Sequence, residues 1–346
     1  MSLPPVEIPL GAMRFNSDSQ KLEYFDGDVW MQVHTFNPDL DGGARGCWAG
    51  GAKDPSAGNP STNIIDYVTI STAGNATDFG DLTESKNQIA GAGSRVRGYC
   101  IGGGNHPTNN RLNTIEYITF SSTGNGTDFG DLNTTTASKK SRMAAANSGT
   151  RAVTTGSISA DYNTMWYITM TTSGIGEDFG DSTFLRENPA ACSSPTRMIS
   201  AGGSNGSSTN YNNIEYITIA TLGNAIDFGD LTVARTTRAA ASNSTRGIWP
   251  GGQTPSNVKT IDYTTIATLG NTIYFGDLPT ATDKGNSACS SPVRVLISGG
   301  GTGPNAGLNV INYVTIATQG DAVDFGDRTN DEKRPGAMSN ANGGLG

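Results

Sequence analysis

The stretch "IEYITIATLGNAIDFGDL" at 214–231 alternates apolar and polar residues through its first half. Alternation at every second position is typical of a strand with two different faces. Gly223-Asn224 follows, a pair that accepts positive φ and closes a hairpin. The pattern predicts a β-hairpin whose return strand carries Asp227-Phe228-Gly229-Asp230.

This pattern occurs six times in the chain. Its tyrosines lie 47 to 50 residues apart, at Tyr67, Tyr117, Tyr167, Tyr216, Tyr263 and Tyr313. Upstream of each copy is an Arg that a Gly pair usually follows, as in "RGYCIGGG" at 97–104, and before it a run of small residues such as "AGAGS" at 90–94. Four short antiparallel strands per repeat at this period predict an all-β fold, a six-bladed β-propeller.

Residue size predicts the strand order in each blade. The small-residue run fits the crowded innermost position, and the Arg–Gly-Gly strand, the Tyr strand and the Asp-Phe-Gly-Asp strand follow outward. The first repeat begins only at its second strand, 45–51, and the missing small-residue strand occurs as "GAMSNANGG" at 336–344. We therefore expect the C-terminal segment to pair with the first blade and close the ring, which leaves no exposed edge.

Residues 1–40 precede the repeats, which occupy 41–346. Three short strands are predicted at Met13–Phe15, Lys21–Phe25 and Val29–Val33, separated by turn residues. A segment of about 40 residues is too short to bury an adequate core alone. We expect a small β-module that packs on the propeller, on copies of itself or on another protein.

Composition excludes several classes of function. The chain has 46 Gly, only 16% charged residues and a net charge of -8, with no run of Lys and Arg, so a nucleic-acid partner is not expected. No apolar run is long enough for a signal peptide or a membrane helix, so membrane insertion is not expected either. The four Cys are far apart and there are only two His, which predicts buried free thiols, no metal site and no cofactor.

Two charged residues occur in every repeat. The Arg that opens the second strand is found at Arg45, Arg97, Arg151, Arg197, Arg246 and Arg294, and the last Asp of the Asp-Phe-Gly-Asp stretch at Asp81, Asp131, Asp181, Asp230, Asp277 and Asp327. A catalytic residue is needed once, whereas a residue repeated six times solves a packing problem common to all repeats. We expect each Asp to accept hydrogen bonds from backbone or Arg at a blade junction or turn, and Asp230→Ala to lower stability without affecting ligand binding.

The Gly pair and the Tyr of each repeat resemble kelch-like propellers, although Phe replaces the usual outer-strand Trp. The "IEYITIATxGNATDFGDL" repeats are also similar to those of virion proteins of tailed bacteriophages, notably marine ones. The N-terminal "GAMRFNSDSQKLEYFDGDVWMQV" at 11–33 resembles a short β-module of phage fibre and appendage proteins. These resemblances imply a virion location after synthesis in the bacterial cytoplasm, with the N-terminal module attaching to other virion proteins or forming oligomers.

Function is expected where the repeats differ, in the connections that follow the Gly pairs and those that lead to the next blade. His106, Arg111, Tyr162 and Tyr211 are the candidate ligand-binding residues there. The leading hypothesis is a non-enzymatic tail-fibre or adhesin-like protein that binds a host-surface glycan or protein. A head, neck or baseplate decoration protein that contacts only other virion proteins is the alternative, and a glycan-degrading enzyme a minor one.

Overall fold

The structure, a computed structural model, describes residues 8–16, 21–32, 44–53, 60–108, 110–132, 140–157, 163–172, 174–206, 209–283, 285–302 and 307–345. The chain forms two compact units, Met1–Asp41 and Gly42–Gly346. The fold is all-β, with seven antiparallel sheets of three or four strands. Among the described residues, none belongs to a helix long and apolar enough to span a bilayer.

The first unit contains one sheet, ordered β1-β2-β3, with strands Met13–Asn16, Lys21–Phe25 and Trp30–Gln32. These are the three strands that the sequence predicts. On one face, Arg14 pairs with the buried Glu23 at 2.9 Å and lies 4.1 Å from the ring centroid of Trp30. Apolar side chains of the other face are exposed: Met13, Phe15, Leu22, Tyr24 and Met31.

The second unit contains six four-stranded sheets, numbered here in the order of the repeats. Sheet 1 holds β4 (Arg45–Ala52), β5 (Ser61–Thr69), β6 (Thr77–Asp81) and β27 (Gly336–Ser339), and sheet 2 holds β7 (Ala90–Gly93), β8 (Arg97–Asn105), β9 (Asn110–Thr119) and β10 (Thr127–Asp131). Sheet 3 holds β11 (Ala144–Asn147), β12 (Arg151–Thr155), β13 (Thr164–Thr169) and β14 (Glu177–Asp181). Sheet 4 holds β15 (Ala190–Ser193), β16 (Arg197–Ala201), β17 (Asn213–Thr218) and β18 (Ile226–Asp230). Sheet 5 holds β19 (Ala241–Ser242), β20 (Arg246–Pro250), β21 (Val258–Thr265) and β22 (Ile273–Thr282), and sheet 6 holds β23 (Asn286–Ser290), β24 (Arg294–Gly299), β25 (Val310–Thr315) and β26 (Val323–Asp327).

Strand order within the sheets confirms the sequence prediction. In sheets 2 to 6 the small-residue strand pairs with the Arg strand, which pairs with the Tyr strand, which pairs with the Asp-Phe-Gly-Asp strand. Sheet 1 has the order β27-β4-β5-β6, and its register places Gly336 opposite Ala49 and Met338 opposite Cys47. The predicted pairing of the C-terminal segment with the first repeat is therefore present.

The six small-residue strands lie beside one another. Each contacts the small-residue strands of the preceding and following repeats, and β27 contacts both β23 and β7. A Cβ at Gly91 would collide with the backbone of Ala337, so no larger residue fits at that position. One cavity is lined by all six strands, and a 3₁₀ turn at Gly343–Leu345 packs against β11, β15 and β19.

The core is formed mainly between sheets. Phe79 of sheet 1 packs with Cys100 and Ile118 of sheet 2 and with Met338. In every repeat the Phe of Asp-Phe-Gly-Asp, which is Tyr-Phe-Gly-Asp in the fifth repeat, is buried and lies edge-on to the repeat's Tyr, with ring centroids 5.6 to 6.3 Å apart.

The four cysteines are free and buried, as the sequence predicts. Burial raises the pKa of the Cys100 and Cys192 thiols to about 12. These thiols therefore stay protonated at neutral pH and pack as small apolar groups.

Candidate functional site

The Asp-Phe-Gly-Asp stretch joins each sheet to the next through backbone hydrogen bonds. The Phe carbonyl accepts from the Gly N–H of the neighbouring Gly-Asn turn, as in Gly270 N to Phe228 O at 2.8 Å. The last Asp carbonyl accepts from the residue after that turn, as in Thr272 N to Asp230 O at 2.8 Å. Both bonds recur at all six junctions, including the junction between sheet 6 and the Gly74-Asn75 turn of sheet 1.

A third junction bond uses an amide side chain. The N–H of the last Asp donates to the Oδ1 of the turn residue, 3.0 Å away for Asp230 and Asn271. Five junctions have this bond, one of them to Asp321 in place of Asn. Between sheets 2 and 3 the turn residue is Ile175, which offers no acceptor, and the Gly174 N to Phe129 O distance there is the longest of the six, at 3.2 Å.

The repeated Asp residues accept backbone hydrogen bonds at the sheet junctions, one of the two alternatives expected, but the acceptor is the main-chain carbonyl. Their backbone N–H and C=O groups, not their carboxylates, make the junction bonds. Among the described residues, Asp277 is the one member of the set whose carboxylate pairs with a basic residue, Lys259 at 3.0 Å. The expected Arg–Asp hydrogen bonds do not form because the Arg side chains bind elsewhere.

Each repeated Arg lies over the Tyr of its own sheet, and five of the six also donate to carbonyls of the next sheet. The six guanidinium carbons lie 4.3 to 5.0 Å from the Tyr ring centroids. Arg197 Nη1 donates to the carbonyls of Ile266 and Ala267 at 2.8 and 3.1 Å, and Arg45, Arg151, Arg246 and Arg294 donate to the corresponding carbonyls of their neighbours. At the junction of sheets 2 and 3, the Tyr99 hydroxyl donates to the Met170 carbonyl instead.

Buried ion pairs form a further set of sheet contacts that the sequence analysis missed. The residue before the repeated Tyr is an acid in four repeats, and each acid pairs with a basic residue of a connection between strands: Asp66 with Arg328, Glu116 with Lys86, Glu215 with Arg186, and Asp262 with Arg235. All eight side chains are buried. The signal that could have found these pairs is an acid at the same position of an otherwise apolar strand in several repeats, since a buried charge requires a partner.

The turns and connections between strands emerge at two ends of the sheets. Antiparallel order places the Gly-Asn turns at one end, called here the uniform end. The connections after the Gly pairs and those to the next sheet emerge at the other, called here the variable end. Basic residues of the variable connections, such as Lys86 and Arg235, are buried in the ion pairs above. Part of the sequence variation at this end therefore serves packing.

The candidate binding residues occupy separate sheets of the variable end. His106 lies in the β8–β9 connection of sheet 2, where its backbone N–H donates to Ser61 Oγ at 2.9 Å. Arg111 is the second residue of β9 and is exposed. Tyr211 lies at the β16–β17 connection of sheet 4, half-buried and 5.6 Å from Phe184 between ring centroids. Tyr162 lies outside the described residues. Sheet 3 lies between the two sites, so these residues do not form one cluster.

Comparison with known proteins yields no matching family: no protein-family model and no curated protein matches the chain. Among the described residues, no group of three His, Cys, Asp or Glu side chains is placed to hold a metal ion.

Proposed function

We propose that the six sheets of the second unit are the blades of a six-bladed, kelch-like β-propeller. The proposal rests on the equivalence of the six junctions: the bonds that join sheet 1 to sheet 2 recur between sheet 6 and sheet 1. The contacts among the small-residue strands follow the same cyclic order. Repeats related in this way fit a radial arrangement that leaves only short edges.

We infer that the protein is a virion appendage of a tailed bacteriophage, whose variable end binds a host-surface glycan or protein. The observation that carries this inference is the difference between the uniform end and the variable end of the sheets. The repeated residues at the uniform end are engaged in sheet-to-sheet bonds, whereas the connections at the variable end differ in length and chemistry. Differing loops on a rigid scaffold are where binding sites usually reside.

The N-terminal unit is proposed to attach the protein to other virion proteins or to further copies of itself. Its sheet exposes 62% of Met13 and 66% of Phe15 on one face. Exposed apolar faces of this kind are typical of interaction sites. The same observation favours the alternative function, a head, neck or baseplate decoration protein that contacts only virion proteins.

Binding of the purified protein to host cells and to a glycan array tests the proposal. The test variant replaces three residues of the variable end by Ala: His106, Arg111 and Tyr211. The matched control replaces three exposed residues of the uniform end by Ala: Val96, Leu222 and Leu269. Both variants are first checked for an unchanged melting temperature, because Tyr211 packs on Phe184.

Host binding that the test variant loses and the control keeps supports the adhesin function. If the parent protein binds no host surface and electron microscopy locates it on the capsid or baseplate, the decoration function replaces it. Release of reducing sugar from a bound glycan would instead support the minor alternative of a glycan-degrading enzyme.

A further inference from the structure

Arg238 departs from the pattern of its repeat position. The strand registers make it equivalent to Ile89, Met143, Pro189 and Pro335, which precede their small-residue strands, and to Asn286, the first residue of β23. Four of these five are apolar. Arg238 therefore places a cation in the centre of the variable end, where the other sheets supply mostly apolar side chains.

The Arg238 guanidinium is incompletely paired. Among the described residues no hydrogen-bond acceptor meets its buried Nη1. Burial, followed by the nearby Arg334 and Arg142, lowers the pKa of Arg238 to about 9. Because arginine stays protonated in proteins, the lowered pKa of Arg238 reflects an unfavourable environment for its positive charge.

The surrounding charges leave an excess of cations. Arg142 Nη1 lies 2.8 Å from both carboxylate oxygens of Glu187, and Lys333 Nζ lies 3.0 Å from Asp283 Oδ2. Arg238 and Arg334 are left without an acid of their own among the described ion pairs. Burial and Arg142 also lower the pKa of Arg334.

A cavity at this position has the size and polarity for a small ion. Ile89, Met143, Arg238, Ser287 and Pro335 are among the residues that line it. The Ser287 hydroxyl is buried and has no partner among the described residues. The volume of about 40 Å³ exceeds the 10–15 Å³ or so that one water needs, yet is too small for a sugar ring.

We propose that this cavity, called here the basic cavity, is a binding site for a single oxyanion group: phosphate, sulfate or carboxylate. Such a group accepts hydrogen bonds from arginine in a geometry that matches the guanidinium fork. It would also balance the charge excess of Arg238 and Arg334. A metal cation would be repelled by the same residues. The site does not depend on the proposed host binding, and it places an anion at the centre of the variable end.

Titration of the full-length protein with sodium phosphate, monitored by calorimetry at constant ionic strength, tests the site. The test variant is Arg238→Met, which installs the residue type that Met143 provides at the equivalent position of sheet 3. The matched control is Arg95→Met, which removes the same charge from an exposed residue of the uniform end. We expect Arg238→Met to weaken phosphate binding at least about tenfold and Arg95→Met to leave it unchanged.

Equal phosphate binding by the parent and Arg238→Met, or no binding by the parent, would overturn the site. A folding defect is separable, because Arg238→Met removes a charged group whose buried Nη1 has no hydrogen-bond partner among the described residues, and should keep or raise the melting temperature in phosphate-free buffer. Competition by an acidic oligosaccharide shows where the oxyanion group comes from. If the oligosaccharide displaces phosphate, the group is part of a glycan. If it does not, the group is a free ion.

Discussion

Glycine in the Asp-Phe-Gly-Asp stretch meets two requirements at once. Gly229 has a φ of +147°, a backbone conformation that residues with a Cβ rarely adopt. Its Cβ position is also occupied by the backbone of Gly270 in the next sheet's turn. The Gly therefore permits the close approach on which the junction bonds depend.

Gly229→Ala should destabilise the protein more than Gly223→Ala. Gly223 has a similar φ of +151° but open space at its Cβ position, so it isolates the backbone strain. We expect a loss of about 1 kcal/mol for Gly223→Ala and at least about 2 kcal/mol for Gly229→Ala. Urea unfolding measures both, and equal losses would contradict the role of close approach.

Ile175→Asn should stabilise the protein. The substitution supplies the acceptor that this junction lacks, for the N–H of Asp131, as Asn271 does for Asp230. We expect Ile175→Asn to raise the unfolding free energy by about 0.5–1.5 kcal/mol and Asn271→Ala to lower it by a similar amount.

Asp230→Ala should change the unfolding free energy only slightly, because the junction bonds of Asp230 are made by its backbone. A large loss in Asp230→Ala would show instead that its carboxylate matters.

At the scale of the element, the buried ion pairs connect the end of one sheet to the Tyr strand of the next. Glu215 shows the arrangement: it pairs with Arg186 and accepts from the Thr183 N–H at 2.8 Å. Removing one partner leaves a buried charge without compensation, so Glu215→Gln should cost about 3–5 kcal/mol in unfolding free energy. Trp166 takes the acid's position in sheet 3, with Lys140 Nζ 5.6 Å from its ring centroid.

Glu332 makes the stability contributed by one buried cluster depend on pH. In this cluster Arg328 pairs with both Asp66 and Glu332. Burial raises the pKa of Glu332 above the ordinary 4.5, while Arg328 opposes the rise. Between the ordinary and the raised pKa the folded state binds more protons, so the contribution of Glu332 to stability falls as pH rises. The unfolding free energy of the parent relative to Glu332→Gln should therefore increase as pH is lowered from neutral toward 4.5. Urea unfolding at several pH values measures the difference, and the opposite slope would refute the assignment.

At the scale of the whole molecule, the two ends of the repeat region meet in sheet 1. Besides the pairing of β27 with β4, the Arg45 N–H donates to Asn340 Oδ1 at 2.8 Å, and Ser339 Oγ donates to the Ser290 carbonyl at 2.5 Å. The C-terminal segment thus bonds to both sheet 1 and sheet 6. Its loss would expose the edge of β4 and the residues of β7 and β23 that contact β27.

Deletion of residues 334–346 should destabilise all six sheets together. We expect a single unfolding transition with a melting temperature at least about 5 °C lower, since several kcal/mol are lost. Deletion of residues 1–40 is the control, because these residues belong to the separate first unit. An unchanged melting temperature after the C-terminal deletion would refute the role of the C-terminal segment in joining sheet 1 to sheet 6.

Sequence and structure agree best where the repeats are regular. The alternation of Ile, Tyr and Thr predicts the Tyr strand, and the small-residue runs predict the strands that approach one another most closely. These signals are local and occur six times. The repeated Asp accepts backbone hydrogen bonds as expected, but through its main-chain carbonyl. A sequence does not show whether a repeated residue acts through its side chain or its backbone.

The sequence alone determined the strands, their order and the pairing of the C-terminal segment with the first repeat, since each depends on residue size and periodicity. Which charged side chains meet depends on the folded arrangement of the repeats. Arg142, Arg238 and Arg334 are about two repeats apart along the chain, and no run of basic residues marks them. They come together because each lies where the chain enters a small-residue strand, and those six strands line one cavity.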